Sequence, residues 1–239
     1  GAAKAAGFAV FIRVLMTGIP IEGANWENLF WTLAVLTMTV GNLMALRQNE
    51  VKRMLAYSSI AHAGYVLVAI TVGSPSAISG VIFYSCAYAL MGTGAFGILT
   101  IRDAGRLPTT FDDLAGYAKR NPTLALLMSL FIFSLVGLPL TAGFIGKFQI
   151  FSAALEGGWI WLTVIGILNS ALSVYYYLRV VMFMYMREGA LPDGTVVSSG
   201  NTSRFALTGL LLTALAVVYL GIFPDQILKL ASLSILALL

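Results

Sequence analysis

An apolar run of about 34 residues, 122–155, constrains this chain more than any other stretch. The run is too long for one simple membrane crossing, because about 20 helical residues span the hydrocarbon core. Its middle reads GLPLTAG, and Pro139 lacks the N–H that would bond the carbonyl of Leu135. The sequence therefore predicts a discontinuous helix, broken around Gly137, Pro139 and Gly143. A membrane helix tolerates such a break only where protein or a water-filled cavity satisfies the freed backbone groups.

A lysine, Lys147, follows the predicted break with apolar sequence on both sides. One interpretation is a proline kink plus a lysine whose amine extends to the membrane surface. The other is a buried cation on an ion or proton path, which is what charged residues inside membrane helices usually mark. We favour the path, because Lys147 lies about eight residues from the nearest polar turn and is too deep for easy extension to the surface.

Composition places the whole chain in the membrane. It is 59% hydrophobic and 10% charged, whereas soluble domains average about 25% charged residues. The single cysteine, Cys86, excludes a disulfide within the chain. There is no phosphate-binding glycine loop, paired-cysteine motif or HExxH motif. The chain begins at Gly1 inside an apolar segment, so we expect it to be the C-terminal part of a longer protein. We predict an all-α, polytopic helical membrane bundle.

The sequence predicts seven membrane-crossing segments, followed by a short interfacial helix over 225–239. We also expect residues 111–122 to form a short amphipathic helix on the membrane surface. The seven predicted spans are 2–17, 28–46, 51–72, 76–101, 122–155 (broken), 159–186 and 204–223.

The loops between these segments alternate in charge. Of the basic residues in these loops, only Lys229 lies on one side. The other side holds nine: Arg47, Lys52, Arg53, Arg102, Arg106, Lys119, Arg120, Arg187 and Arg204. Such a bias marks the cytoplasmic face of a multi-pass protein. We therefore expect the C-terminus on the non-cytoplasmic side. Because topology accounts for the net charge of +4, we expect no nucleic-acid partner.

Three side chains that become cations on protonation lie deep inside the predicted spans: Lys4, His62 and Lys147. A lysine in water keeps its proton at neutral pH. Burial and a second nearby cation both favour the neutral amine, so a buried lysine becomes a switchable proton site. Histidine titrates near neutrality without such help. Because no carboxylate lies at this depth and sodium prefers oxygen ligands, the sequence favours protons as the transported ion.

Two stripes of polar side chains lie inside the predicted spans at helical spacing. The first consists of Ser58, Ser59, His62 and Tyr65, and the second of Asn169, Ser173 and Tyr177. Such groups donate and accept hydrogen bonds, so each stripe can support a file of water molecules. Each can equally form ordinary hydrogen bonds between helices. We favour interhelical bonding for the second stripe, and for His62 both interpretations remain open.

Three long runs in the chain resemble one known family. They are GNLMALRQNEVKRMLAYSSIAHAGYVLVAI (41–70), LVGLPLTAGFIGKF (135–148) and NSALSVYYYLRVV (169–181). They are similar to the antiporter-like membrane subunits of respiratory complex I, over nearly the whole chain. Within that family the resemblance is greatest to the subunit N branch, because subunit M has glutamate at the position of Lys147. Subunit L continues beyond the position of Leu239 into a long lateral helix.

The resemblance implies that the chain carries the last seven of fourteen helices of a fold with two inverted five-helix repeats. It implies that Lys4 is the mid-path lysine, that Lys147 lies near the proton exit and that His62 lies on a central hydrophilic axis. A buried glutamate and a second broken-helix lysine would lie upstream.

The resemblance also implies a function, that of a proton-translocating, non-redox subunit of a bacterial inner-membrane NADH–quinone oxidoreductase. We expect no cofactor on this chain; NADH, FMN, iron–sulfur clusters and quinone would be bound by partner subunits. The expected partners are neighbouring antiporter-like and small membrane subunits and the lipid bilayer. The alternatives are a subunit of a multi-subunit cation/proton antiporter or of a related membrane-bound dehydrogenase or hydrogenase. A third is a structural spacer whose lysines form static ion pairs.

Overall fold

The computed structural model describes residues 7, 10, 26–102, 109–188 and 203–236, and the regular elements within them are helices. The predicted all-α class is therefore confirmed. Most of the predicted span 2–17, including Lys4, lies outside the described residues. The helices are α1 (Trp26–Leu46), α2 (Val51–Val72), α3 (Pro75–Arg102), α4 (Tyr117–Arg120), α5 (Pro122–Val136), α6 (Ala142–Glu156), α7 (Ile160–Met186), α8 (Arg204–Ile222) and α9 (Asp225–Leu236).

Five of these helices, α1, α2, α3, α7 and α8, are long and apolar enough to cross a membrane. Their bounds lie within two residues of the predicted ones. The helix predicted to begin at residue 76 begins at Pro75, since proline suits the first turn, where its missing N–H leaves no bond unmade. The last helix, α9, packs against α3.

The helices α1 and α2 pack with their backbones in contact. A Cβ atom at Gly41 would lie 2.6 Å from the backbone nitrogen of Ala61, and one at Gly64 would lie 2.7 Å from that of Met38. Small residues at helix contacts are typical of membrane bundles, where close packing replaces the hydrophobic effect as the source of association. This pair positions the polar face of α2 against α3 and α7.

The predicted break is present between α5 and α6. Each half has 15 residues, about 22 Å of helix, so neither alone spans a hydrocarbon core of about 30 Å. Gly137, with φ of 85°, ends α5 by donating to the carbonyl of Ser134 at 3.1 Å, while the N–H of Leu138 donates to Phe133 O at 3.1 Å. This is a glycine C-cap. The Oγ1 of Thr141 caps α6 by accepting from the N–H of Phe144.

The expectation that 111–122 forms one amphipathic surface helix is wrong. The segment makes a single 3₁₀ turn, Asp112–Leu114, and then the short α4, and Gly116 separates the two with φ of 65°. Its apolar side chains are buried in the bundle rather than laid on a surface. The reason is backbone pairing: the N–H of Val51 donates to Thr109 O at 3.0 Å, and this pulls the loop against the start of α2.

Candidate functional site

The side chain of Lys147 points from α6 back to the end of α5. Its Nζ donates to the carbonyl oxygens of Leu135 at 3.1 Å and Val136 at 2.8 Å, and to the Oγ of Ser170 on α7 at 3.0 Å. Side chains on a helix tilt toward its N-terminus, so a lysine in the second turn of α6 reaches back across the break. Only 5% of Lys147 is exposed, so the amine faces the protein interior.

The groups that accept hydrogen bonds from the Lys147 amine are neutral dipoles. The last carbonyls of α5 have no intrahelical partner, and they form the negative end of the helix dipole. The ring of Tyr65 adds an aromatic face, with its centroid 5.2 Å from the Nζ of Lys147. None of these groups is a carboxylate. An ammonium held only by dipoles can lose its proton without leaving an opposite charge buried and unpaired, which a static ion pair cannot do.

Two glycines allow α6 to start beside the end of α5. A Cβ at Gly143 would collide with the carbonyl of Ser134, and one at Gly137 would lie 3.3 Å from the Cδ of Lys147. The N–H of Gly143 also donates to the Oγ of Ser134 at 3.3 Å. The glycines predicted for the break therefore bring the lysine stem and the freed carbonyls together. Pro139 lies in the linker, after the point where Gly137 has already ended α5.

His62 joins three helices through tyrosine hydroxyls. Its Nε2 lies 2.8 Å from the hydroxyl of Tyr177 on α7, and its Nδ1 is hydrogen-bonded to the hydroxyl of Tyr84 on α3. The ring of Tyr88 lies against the imidazole, with 4.8 Å between centroids. A neutral imidazole donates at one nitrogen and accepts at the other, so these groups form a hydroxyl–imidazole–hydroxyl chain across the bundle.

Tyr65 touches both sites. Its ring is edge-on to His62, with 5.7 Å between centroids, and its face lies against the amine of Lys147. Its hydroxyl is buried and faces Asn42, Ser170 and Ser173, none of which is in direct hydrogen-bond geometry with it. The lysine site and the histidine cluster therefore share the ring of Tyr65, and three polar side chains lie near its hydroxyl.

The remaining predicted polar residues form hydrogen bonds either within their own helix or between helices. The hydroxyls of Ser58, Ser59 and Ser173 each donate to a carbonyl of their own helix. Asn169 bonds across helices, since its Oδ1 accepts from the Nδ2 of Asn42 at 3.0 Å. This is the interhelical bonding favoured for that stripe. Tyr177, on the same stripe, instead belongs to the His62 cluster.

Sequence reasoning missed several members of the site. They are Asn42, Tyr84, Tyr88, Ser170 and Tyr176, whose hydroxyl donates to Asn42 Oδ1 at 2.8 Å. Tyr84 and Tyr88 stand at i and i+4 in an apolar span, and that spacing was a usable signal for a shared polar face. Ser170 carried no such signal, because its role depends on where α6 places Lys147.

A family model and the related sequences assign this chain to the same protein family. Residues 2–173 match the family model described as NADH:quinone oxidoreductase/Mrp antiporter, TM. NADH-quinone oxidoreductase subunit N of Trichlorobacter lovleyi is 48% identical over 229 residues, which are 95% of this chain and 46% of that protein. The chain thus spans about half the length of the curated relatives it matches.

Solved structures share the fold. A chain of respiratory complex I from Thermus thermophilus with bound aureothin is 32% identical, with a TM-score of 0.72 over 84% of this chain and 45% of that one. A chain of the Mrp complex from Dietzia sp. DQ12-45-1b has a TM-score of 0.76 over 87% of this chain and 46% of its own, at 19% identity, and shows the fold alone. The predicted antiporter-like helical fold is confirmed.

Proposed function

We propose that this chain, a member of the NADH:quinone oxidoreductase/Mrp antiporter transmembrane family, is a proton-translocating subunit of a membrane-bound NADH–quinone oxidoreductase. In this proposal NADH, FMN, iron–sulfur clusters and quinone belong to partner subunits, and the residues of this chain move protons. The 48% identity to a protein named NADH-quinone oxidoreductase subunit N supports this choice within the family.

One observation carries the proposal. The amine of Lys147 is buried at a helix break, bonded to the free carbonyls of Leu135 and Val136 and to a hydroxyl, with no carboxylate among these partners. Such an amine can hold or release a proton while its surroundings stay in place. A second positive charge brought near this amine would repel the bound proton. We propose that Lys4, which lies outside the described residues, also takes part in proton transfer. The chain of Tyr84, His62 and Tyr177 can accept a proton at one end and donate one at the other.

We propose a position for the chain as well. The basic loops would face the cytoplasm of a bacterial inner membrane, so the C-terminus would lie on the other side. The bundle would contact neighbouring antiporter-like and small membrane subunits of the same complex. The apolar outer faces of α1, α7 and α8 suit lipid or such helices.

The test is Lys147→Ala in the assembled complex, with proton translocation measured per electron transferred to quinone. We expect translocation per electron to fall while the complex still assembles. Lys119→Ala is the matched control, because this lysine lies in the short helix α4 with its side chain 78% exposed, and its loss should leave translocation unchanged. Wild-type stoichiometry in the Lys147→Ala complex would reject the role.

The second candidate is a subunit of a cation/proton antiporter or of a related membrane-bound dehydrogenase. The family model covers Mrp antiporters, and the Mrp chain shares the fold. Purification of the native complex decides between them: co-purified iron–sulfur and quinone-reducing subunits support the oxidoreductase, whereas sodium-dependent proton exchange without them supports the antiporter.

A further inference from the structure

Outside the polar site, Gly221 lies against the break from the far side. It is buried in the last turn of α8, a helix that contributes none of the polar contacts described above. A Cβ at this position would lie 2.8 Å from the Cα of Thr141 and 2.9 Å from the nitrogen of Ala142, and it would also collide with the carbonyl oxygen of Leu140. All three are backbone atoms, which cannot yield by changing a rotamer.

The backbone that Gly221 touches is the start of α6. Thr141 is the N-cap residue of α6 and Ala142 is its first residue. Lys147 is five residues further along the same helix, less than two turns away. Because helical segments of this length move as units, a displacement at Ala142 also displaces the stem of Lys147 relative to the carbonyls of α5.

The linker between the two half-helices is held from within by Thr141, whose N–H and Oγ1 both donate to the carbonyl of Leu138, at 3.1 and 2.7 Å. Leu140 has φ of 70°, in the left-handed region that costs a non-glycine residue free energy. Its side chain is 76% exposed, so burial of that side chain does not stabilise the conformation. Its carbonyl, by contrast, lies against Gly221. The strained backbone is therefore supported by α8.

We propose that Gly221 is a positioning residue for Lys147. The missing side chain lets α8 approach the linker and hold the start of α6 where the amine reaches Leu135 and Val136. This inference rests on the proposed function, because it assigns to α8 the task of fixing the geometry of the proton site. It predicts that adding one methyl group at position 221 impairs proton transfer, although every polar group of the site is still present.

The experiment compares Gly221→Ala with Gly209→Ala in the full assembled complex. Gly209 lies on the same helix, and no atom of the described residues lies within 4 Å of its would-be Cβ, so its variant adds the same methyl group without a clash among them. We expect Gly221→Ala to cause at least half of the loss in protons per electron seen for Lys147→Ala, and to shift the pH profile of translocation. Gly209→Ala should change neither.

A rescue variant separates positioning from general damage. Leu140→Gly removes the cost of the left-handed conformation and lets the linker move away from the added methyl group. The double variant Gly221→Ala/Leu140→Gly should recover at least half of the lost translocation and restore the wild-type pH profile. An electron cryo-microscopy map of each complex should show the Lys147 amine displaced in Gly221→Ala and returned in the double variant.

The outcomes distinguish this inference from the proposed function. If Lys147→Ala abolishes translocation but an assembled Gly221→Ala complex pumps normally with an unmoved amine, the positioning role is wrong and the function stands. If Lys147→Ala pumps normally, the function is wrong, whatever the maps show. If the Gly221→Ala complex does not assemble, the Gly221→Ala/Leu140→Gly complex provides the test. Wild-type translocation in that complex with a displaced Lys147 amine overturns the proposal. Wild-type translocation with the amine in its original place supports the proposal.

Discussion

The Lys147 site and the His62 cluster handle a buried titratable group in two different ways. Lys147 is bonded to backbone carbonyls freed by a broken helix, together with one hydroxyl. His62 lies in an unbroken helix, and its ring nitrogens face the hydroxyls of Tyr84 and Tyr177 on two other helices. Carbonyl dipoles can only accept, so they favour a cation. Hydroxyls donate as well as accept, so they suit a group that passes a proton without remaining charged. We propose that the Lys147 site stores a proton, and we call it the storage site; we propose that the His62 cluster relays a proton, and we call it the relay.

We expect the largest fall in translocation from a variant that keeps a positive charge at residue 147 but cannot release its proton. Lys147→Arg preserves a cation near Leu135 and Val136, but guanidinium does not release its proton in proteins. We expect translocation per electron to fall as far as in Lys147→Ala, measured in the assembled complex. Retention of more than half of wild-type translocation would show that Lys147 acts as a fixed charge.

The next effect concerns which residue makes the break. Gly137 has φ of 85° and lies close to the lysine stem, so Gly137→Ala is strained and crowds Lys147. Pro139 follows the C-cap, so Pro139→Ala leaves the cap bonds in place. We expect Gly137→Ala to reduce translocation severalfold more than Pro139→Ala, at equal complex content in native gels. A larger loss of translocation in Pro139→Ala than in Gly137→Ala would show that Pro139, rather than Gly137, causes the helix break.

The smallest effect is expected at the relay. Tyr177→Phe removes one hydroxyl partner of His62 and leaves Tyr84, so a water molecule can replace the missing group. We expect a less than threefold fall in translocation for Tyr177→Phe, and a larger fall for Tyr177→Phe/Tyr84→Phe, in which neither tyrosine partner remains. If the double variant pumps like wild type, His62 is a structural residue and the distinction between storage and relay does not hold.

The two sites also differ in how far sequence reasoning reaches them. The break and its lysine were predictable, because glycine and proline inside an apolar run have direct backbone consequences. Even so, the sequence argument attributed the end of the first half-helix to Pro139, whereas Gly137 ends it. A C-cap glycine cannot be told from a linker glycine by sequence. The tyrosine partners of His62 stand at helical spacing in the sequence, but their pairing with the imidazole could not be predicted. Which tyrosine of α3 or α7 meets the imidazole depends on helix rotation and depth, and these are fixed only by packing.

The same limit explains Ser170 and the loop after α3. Ser170 stands next to Asn169, yet the two side chains meet different helices, because successive residues on a helix point about 100° apart. The loop carries charged residues that favoured a surface helix, but pairing with the start of α2 folds it inward. Contacts between segments distant in the chain decided both outcomes, and no local pattern encodes them.

The glycine contacts between α1 and α2 have a mechanical consequence. Two helices whose backbones touch at Gly41 and Gly64 cannot slide or rotate against each other without a steric clash. The two helices therefore form a rigid unit, and His62 on α2 belongs to it. For the proposed proton transfer we therefore expect conformational change in the linker and half-helices that carry Lys147, rather than between α1 and α2.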